Sequence, residues 1–519
     1  MNTKVSTKKT FKLIIILCLW FLPIFIIVCI EFSLRILNVG ENRNPFLEKE
    51  CNQTHFFVPN RSFYQQYFRI PLYDFVNWDH LDFSISKQKD KNAFRIFVFG
   101  ESAMYGLESS VRQLEVMLKM AIPEIKWEIY NVSCPGINSH ILYFLAKACV
   151  YFSPDAFLIY MGNNETIGPY GEHSFLYKFP ALRTTSVIRL DTWLKKLRIV
   201  QLFEKQPDIH WREQTPDNLM PFVPHQGQET KTLELFEKNL KDMINIGIKT
   251  NAYVVLGTLS FNRKFGVDPS EYKSLSFQQT EMNKRILAVG NTFKTQTHLI
   301  RLVDLDKTIA QKSPDGIPGY EYFCDNIHFT FEGNYIVAQE WFNAVLSILK
   351  EKKQVSLENN TLSIPIEKCA EYLGWNKANT LLQIQMQKNV ITDAVSLKFL
   401  QKKEEEVSKE IGDFIEQLIV DGYKQAYEIN PEDEKINMQL IEWLLKIKDL
   451  NKAMEISQLF YSRYPCSRIA MRLLGNVYAN TSDIDNAIKI YQECLTYYPD
   501  DGLAKDSLNR MLKLKHETK

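Results

Sequence analysis

Four short runs carry the side chains with the clearest capacity for chemistry in this chain. In order they are Gly100–Gly106, Asn131–Gly136, Tyr160–Glu165 and Asp325–His328. Together they supply a serine, a histidine with a nearby carboxylate, and groups that can donate hydrogen bonds to an oxyanion. A serine needs a base to take its proton, and the negative charge that develops on a carbonyl oxygen needs donors. This set of residue types is therefore sufficient for acyl transfer through a serine ester.

The elements that must position these residues alternate between apolar strands and helices. The predicted strands are Phe94–Phe99, Trp127–Val132, Ala156–Met161, Ala252–Leu256 and Leu299–Val303, and the predicted intervening helices include Val111–Ala121, Ile141–Tyr151 and Leu233–Ile248. Short buried strands that alternate with helices predict a parallel sheet covered on both faces. Sites in such folds form beyond the carboxyl ends of the strands. Ser102, Gly136 and Asn164 each come just after a predicted strand, which places them at one edge of the sheet.

The four runs, in this order, resemble the SGNH hydrolases, also called GDSL esterases. Their signature residues are Ser, Gly, Asn and His from four sequence blocks, and the resemblance covers roughly residues 94–350. A lone Gly-x-Ser turn or Asp-x-x-His would mean little, so the specificity lies in the order and spacing of all four blocks. The resemblance implies a flavodoxin-like, three-layer α/β/α domain with a parallel sheet. It also implies an ester-cleaving serine hydrolase that works through an acyl-enzyme, without a metal or an organic cofactor.

The resemblance implies a role for each matching residue. Ser102 is expected to be the nucleophile and His328 the base that takes its proton. Asp325, three residues before His328, is expected to orient the imidazole ring. The expected oxyanion donors are the backbone N–H groups of Ser102 and Gly136 and the side-chain amide of Asn164.

Two acidic residues depart from the family pattern. Glu101 stands where the family has the Asp of Gly-Asp-Ser, and Glu165 stands where it has the Asp of Gly-x-Asn-Asp. Both changes lengthen an acid at a position that proton transfer does not require, so we expect them to affect subfamily assignment more than activity. The Gly-x-Asn spacing selects Asn164 over its neighbour Asn163.

Size and composition limit the other functional classes. At 519 residues the chain is too long for one ordinary core, and two or more domains are expected. The 62 basic and 61 acidic side chains nearly cancel, so nothing predicts binding of nucleic acid. The nine cysteines show no CxxC spacing and no zinc pattern. Cys134 and Cys324 adjoin two of the four runs, and we favour two buried thiols over a disulfide between them.

The N-terminus predicts a membrane anchor. Leu13–Ile30 is a run of eighteen residues without a charge, at the threshold for a spanning helix, and lysines precede it. A cleaved signal peptide is the rival interpretation, but no small-x-small cleavage site follows the run. By the positive-inside rule the N-terminus would lie in the cytoplasm and the main body on the extracytoplasmic side, in a bacterial periplasm.

The C-terminal third has a different period. Pro431, Pro465 and Pro499 recur at intervals of 34 residues, and Ala453 and Ala487 are also 34 apart. This spacing resembles the tetratricopeptide repeat, in which helix pairs stack and present a binding surface. The match is good for the last unit and weak before Pro431. A protein partner and a packed appendage that stabilises the enzyme domain are equally compatible with it.

These patterns predict five regions. They are an anchor at residues 1–31, an extracytoplasmic lead-in at 32–90, the hydrolase domain at 91–350 with an insertion at about 167–228, a helical connector at 351–397, and an all-α repeat domain at 398–519. The insertion is expected either to shape a substrate groove or simply to pack on the domain.

Three functions are compatible with the sequence. The first is a membrane-anchored esterase or acylhydrolase with an ester substrate, which an acylated carbohydrate or a lipid would supply. The second uses the same residues as a polysaccharide O-acyltransferase or deacetylase, if a sugar hydroxyl intercepts the acyl-enzyme before water. The third is a scaffold built on the repeats, with an inactive hydrolase domain. The joint presence of Ser102, Asp325 and His328 argues against the third.

Overall fold

The computed structural model describes residues 21–68, 76–171, 179, 181–204, 229–265, 277–352, 363–389, 394–412 and 414–517. Within them the chain forms an α/β part, built around a parallel sheet, and a C-terminal part that is helical. The α/β class and the helical C-terminal region expected from the sequence are both present.

The central sheet has five parallel strands. Numbered after the hairpin strands β1 (Phe46–Cys51) and β2 (Thr54–Pro59), they are β3 (Ala93–Gly100), β4 (Lys126–Asn131), β5 (Ala156–Tyr160), β6 (Tyr253–Gly257) and β7 (Ile300–Val303). Their order across the sheet is β4-β3-β5-β6-β7. Every residue of β3 is buried, because helices cover both faces of the sheet and β3 lies inside it. The five predicted strands are thereby confirmed, with ends that differ by a residue or two.

The strand order reverses at β3, which pairs with β4 on one side and with β5 on the other. Such a reversal opens a crevice beyond the carboxyl ends of the strands, and ligand sites of open α/β sheets form there. The segments after β3, β4 and β5 carry Ser102, Gly136 and Asn164. The topology therefore directs all three toward one crevice.

Helices lie on both faces of this sheet. In chain order they are α1 (Arg61–Gln65), α2 (Ser110–Ala121), α3 (Ser139–Cys149), α4 (Thr185–Leu194), α5 (Arg198–Gln201), α6 (Glu229–Lys249), α7 (Phe277–Lys294), α8 (Leu305–Lys312) and α9 (Phe331–Glu351). Helices α2 and α9 pack together on one face, and α3, α6 and α7 pack in sequence on the other. The predicted insertion contains α4 and α5. Its residues 172–178, 180 and 205–228 lie outside the described residues.

The C-terminal part consists of consecutive helices. They are α10 (Ile366–Leu373), α11 (Lys377–Lys388), α12 (Ala394–Ile411), α13 (Ile415–Ile429), α14 (Glu434–Lys446), α15 (Leu450–Arg463), α16 (Arg468–Asn480), α17 (Ile484–Tyr497) and α18 (Gly502–Glu517). Each helix from α13 to α18 packs on the next. Ala453 and Ala487, the small residues of the 34-residue period, are both fully buried.

The lead-in joins the two parts. Its strands β1 and β2 form an antiparallel hairpin. Cys51, Phe56 and Val58 of this hairpin share one apolar cluster with Met471 and Tyr491 of the C-terminal helices. A disulfide links Cys51 to Cys466, just before α16. Cys134 and Cys324 are buried free thiols, as we favoured from the sequence.

Buried charges reinforce this contact. Arg472 of α16 pairs with Asp79 of the lead-in, and their side chains are only 5% and 8% exposed. The ammonium group of Lys435 donates to the carbonyl oxygen of Asp82 at 2.8 Å. The C-terminal helices are therefore docked on residues of the same chain through both apolar and ionic contacts.

The prediction of a single-pass anchor is wrong. Part of the predicted segment, residues 13–20, lies outside the described residues, and residues 21–36 are helical. In the part of the chain that the structure describes, no helix has both the length and the apolar character needed to cross a membrane. The eighteen-residue run was at the lower limit of length for a span, so its apolar composition alone was weak support. The extracytoplasmic location that we derived from the anchor is withdrawn with it.

Candidate active site

Ser102 lies directly beyond the buried strand β3. It begins a short 3₁₀ turn, Ser102–Met104, and its side chain is half-buried. The turn starts because Glu101 remains extended and the chain then bends sharply away from the sheet. This geometry places Ser102 at the carboxyl end of β3, the edge of the sheet where ligand sites of this fold form.

Asp325 and His328 are in direct contact. Oδ2 of Asp325 lies 2.6 Å from Nδ1 of His328. The other carboxylate oxygen accepts the backbone N–H groups of Ile327 at 2.9 Å and of His328 at 2.8 Å. An ionised carboxylate only accepts hydrogen bonds, so we assign the ring proton to Nδ1. Nε2 then keeps its lone pair and can take a proton.

The charges around His328 support its role as a base. Burial disfavours the charged ring, but the negative charge of Asp325 and its hydrogen bond outweigh burial and raise the pKa of His328 above its usual value. Glu108 adds a smaller contribution in the same direction. Burial also opposes ionisation of Asp325, yet His328 and the two backbone donors lower the pKa of that carboxyl. The ring still exposes 40% of its side chain, which leaves access for a substrate.

The turn that carries His328 is tied to the segment that follows Ser102. Asn334, at the start of α9, accepts from the backbone N–H of Ser110 at 3.0 Å and from its hydroxyl at 2.7 Å. Gln113 donates to the carbonyl oxygen of Phe331 at 2.9 Å. Within the described residues, the hydroxyl of Ser102 forms no hydrogen bond with the His328 ring. Such bonds often tighten only in the complex with substrate.

Gly136 has a backbone that only glycine adopts without strain. Its φ is +77°, and a Cβ atom there would lie 3.1 Å from the ring of Phe68. Both the left-handed conformation and the close approach of the ring require the absence of a side chain. The loop can therefore present its backbone to a bound group.

Asn164 is buried and oriented by the loop that contains Gly136. Its Nδ2 donates to the carbonyl oxygen of Ile137 at 2.9 Å. An amide nitrogen has two hydrogens, so this bond fixes the side chain and leaves one hydrogen for an oxyanion. The structure thus connects two of the predicted oxyanion residues through one residue, Ile137.

Glu101 supplies a link that sequence reasoning missed. It is fully buried, and its carboxylate accepts from the backbone N–H groups of Gly162 and Asn164, both at 3.0 Å. Burial and the charge of Glu165 raise the pKa of Glu101 well above its usual range, while these backbone donors oppose the change. The residue beside the candidate nucleophile therefore holds the loop of Asn164. The exchange of Asp for Glu was visible in the sequence, but the hydrogen-bond partners of Glu101 were not.

The described residues contain no group of three or more His, Cys, Asp or Glu side chains that could hold a metal ion. Glu101, Glu165 and Asp325 each accept hydrogen bonds from the protein.

Comparisons with known proteins find similarity of fold over about half of the chain. No protein-family model and no curated protein sequence matches it. Among solved structures, the acetyl xylan esterase AlAXEase is 15% identical with a TM-score of 0.32, over 49% of this chain and 100% of that protein. A GDSL-like lipase from Bacteroides thetaiotaomicron is 15% identical with a TM-score of 0.30, over 51% and 93%. The acetylxylan esterase Axe2 from Geobacillus stearothermophilus is 14% identical with a TM-score of 0.30, over 49% and 94%. Similarities of this size assign neither a substrate nor a reaction to this chain.

Proposed function

We propose that this chain is a serine esterase of the SGNH type that cleaves carboxylic esters through an acyl-enzyme. Two observations support the proposal, the hydrogen-bonded contact between Asp325 and His328 and the position of Ser102 directly after β3. A serine hydroxyl is a weak nucleophile until a base takes its proton, and the free Nε2 of His328 supplies that base.

The reaction has two balanced steps. In the first, Oγ of Ser102 forms a bond to the carbonyl carbon of the ester while its proton passes to Nε2 of His328. The alkoxide leaving group departs with that proton as an alcohol, and the acyl group remains on the serine. In the second, water attacks the acyl-enzyme, gives its proton to His328, and releases the acid while Ser102 regains its proton.

The developing oxyanion is stabilised by three donors in this proposal. They are the backbone N–H groups of Ser102 and Gly136 and the Nδ2 group of Asn164. Loss of one donor of this kind typically costs about 10²–10³ in turnover. Asn164 is suited to the role because its side chain is buried and held by Ile137 before substrate binds.

Labelling of the full chain with a fluorophosphonate probe tests the proposal. The wild type should form one adduct that maps to Ser102, and Ser102→Ala should form none. Ser260→Ala is a matched control, because Ser260 follows β6 at the same sheet edge and its hydroxyl is engaged by a carboxylate, that of Asp306 at 3.1 Å. This control should label like the wild type.

Hydrolysis of p-nitrophenyl acetate should follow the same pattern across the three proteins. Folding of each variant is checked by circular dichroism before labelling. A folded wild type that neither labels nor hydrolyses the ester would overturn the proposal. Labelling that persists in Ser102→Ala would also overturn it, because the reactive residue would then lie elsewhere.

A further inference from the structure

A second buried carboxylate lies beside Asn164. Glu165 is 1% exposed, and its two oxygens accept from the backbone N–H of Ser139 at 2.8 Å and from the hydroxyl of Ser139 at 2.9 Å. Ser139 is the first residue of α3 and stands three positions after Gly136. One side chain therefore bridges the segment of Gly136 and the segment of Asn164.

A residue of α6 stabilises the hydrogen bonds between Glu165 and Ser139. Nδ2 of Asn239 donates to the hydroxyl oxygen of Ser139 at 3.0 Å and contacts Nδ1 of His140 at 2.8 Å. Burial, together with nearby Arg183 and Arg189, lowers the pKa of His140 to about 3, so the ring is neutral and accepts at Nδ1. Both amide hydrogens of Asn239 are then used. The hydroxyl oxygen of Ser139 accepts from Asn239, so the hydroxyl donates its own proton to Glu165.

The two candidate oxyanion groups are therefore connected twice. One connection runs from Nδ2 of Asn164 to the carbonyl of Ile137, and the other runs from Glu165 to Ser139. Ile137 and Ser139 both belong to the segment that follows Gly136. Two hydrogen-bonded links of this kind fix the distance and the angle between loops that leave different strands. A misplacement of about 1 Å in such a site can cost on the order of 100-fold in rate.

We propose that Glu165 is a positioning residue which, through Ser139, sets the separation of Gly136 and Asn164 for stabilisation of the oxyanion. The inference rests on the proposed function, because it assigns a purpose to the geometry of that site. Glu165 does not touch the reacting atoms. It acts by holding the donors where negative charge develops.

The charge state of Glu165 gives the proposal a pH-dependent readout. Burial raises the pKa of Glu165 to about 7, against the hydrogen bonds from Ser139 and the charge of Arg183. Among the described residues, the other titratable or charged groups that face this network are Glu101, His140, Arg189 with its partner Asp242, and Tyr170, whose ring contacts His140. Above its pKa the carboxylate accepts both hydrogen bonds from Ser139. Below it, the carboxyl proton and the hydroxyl proton of Ser139 compete, and the link weakens.

Glu165→Gln tests the assignment in the full chain with p-nitrophenyl acetate as the probe. Glutamine keeps the size of the side chain and resembles the protonated acid. We expect kcat to fall about 10-fold to 100-fold with KM changed less than twofold. On the acid side, log(kcat/KM) of the wild type should fall with a slope above one over the first one or two pH units in which Glu165 becomes protonated, whereas the variant should keep a slope of one. Ser139→Ala should lower kcat in the same way.

Asp304→Asn is the matched control. Like Glu165, Asp304 accepts from a backbone N–H at the start of a helix, that of Lys307 in α8, and from a hydroxyl, that of Thr258 at 3.0 Å. It should alter stability without changing kcat or the pH slope. Labelling of Ser102 by the fluorophosphonate separates the two hypotheses. An inert wild type overturns the proposed function, whereas an active wild type with unchanged kcat and slope in folded Glu165→Gln overturns the role of Glu165.

Discussion

At the scale of single residues, the candidate site consists of a reactive pair and a buried frame around it. His328 and Asp325 are partly exposed, which gives a substrate access to the ring of His328 in the proposed function. Glu101 and Glu165 are buried and contact only protein. The two sets differ in what a substitution should change. In the proposed function, the exposed pair controls proton transfer, and the buried acids control where the oxyanion donors lie.

Asp325→Asn tests the contribution of the exposed pair. The pKa of His328 is raised because the charge of Asp325 and its hydrogen bond outweigh burial. A base works only in its neutral form, so kcat/KM of the wild type should rise with pH through this raised pKa. Removal of the charge should move that rise to lower pH. Turnover should also fall, on the order of 10³–10⁴-fold, because asparagine no longer holds the productive tautomer.

The pH profile of ester hydrolysis checks this prediction. Asp304→Asn again serves as a control, since Asp304 lies after β7 and caps α8 rather than contacting His328. An acid limb that stays at the same pH in folded Asp325→Asn would show that Asp325 does not set the pKa of the base.

The sequence predicted the exposed pair but not the frame. Asp325 and His328 are three residues apart, so their contact is local and can be inferred from spacing. The partners of Glu101 and Glu165 lie 61 and 26 residues away in the chain. Their roles depend on which loops the sheet brings together and on full burial. Neither the pairing of the loops nor the burial of the two acids can be inferred from a short run of residues.

At the scale of elements, the sheet was predictable and the hairpin was not. The central strands are continuous apolar runs, which burial on both faces requires. The strands β1 and β2 lack such a run, and their burial patterns do not alternate cleanly. Their turn places Asn52 and Gln53 at positive φ. Asparagine is common there but glutamine is not, so the usual Asn-Gly signal of a tight hairpin was missing.

The disulfide from this hairpin should stabilise the docking of the C-terminal helices. Cys51→Ser should lower the free energy of unfolding by about 2–4 kcal/mol, since a cross-link between segments 415 residues apart restricts the unfolded chain. Addition of a reductant to the wild type should lower the melting temperature to the same value. Cys51→Ser should then show no further response to the reductant.

Cys29→Ser is the control for this experiment, because Cys29 is an exposed free thiol. It should melt like the wild type and respond equally to the reductant. Thermal unfolding followed by circular dichroism measures all three proteins. Equal melting temperatures for the wild type with and without reductant would contradict a stabilising role for the cross-link.

At the scale of the whole molecule, the C-terminal helices are packed against the chain's own lead-in. Helix α16 is buried along most of its length, including its two arginines, Arg468 and Arg472. Leu107, five residues after Ser102, packs on the apolar cluster of α13 to α16. The period of 34 residues predicted stacked helices. It could not show that other residues of the same chain cover part of their surface. These contacts favour the appendage that stabilises the enzyme domain over a free surface for a partner.

Arg472→Met tests the buried ion pair between the C-terminal helices and the lead-in. The change removes the paired arginine of Asp79 and one of the two arginines beside Asp501, at a cost of about 3–5 kcal/mol in the free energy of unfolding. Asp79→Asn combined with Arg472→Met should recover part of that loss, because one uncompensated charge is then removed. Glu416→Gln is the control, since it breaks an exposed pair with Lys446 and should cost about 0–1 kcal/mol.

The effect of Arg472→Met should also depend on pH. Burial opposes ionisation of Asp79, but the charge of Arg472 outweighs it and lowers the folded-state pKa below the ordinary 3.8. The stability that this pair contributes is therefore present above the unfolded-state pKa of Asp79. It is lost as the pH falls through the lowered folded-state pKa. Urea unfolding should show a smaller difference between wild type and Arg472→Met at pH 3 than at pH 7. A difference that stays constant or grows toward acid pH would show that Asp79 is not held ionised by Arg472.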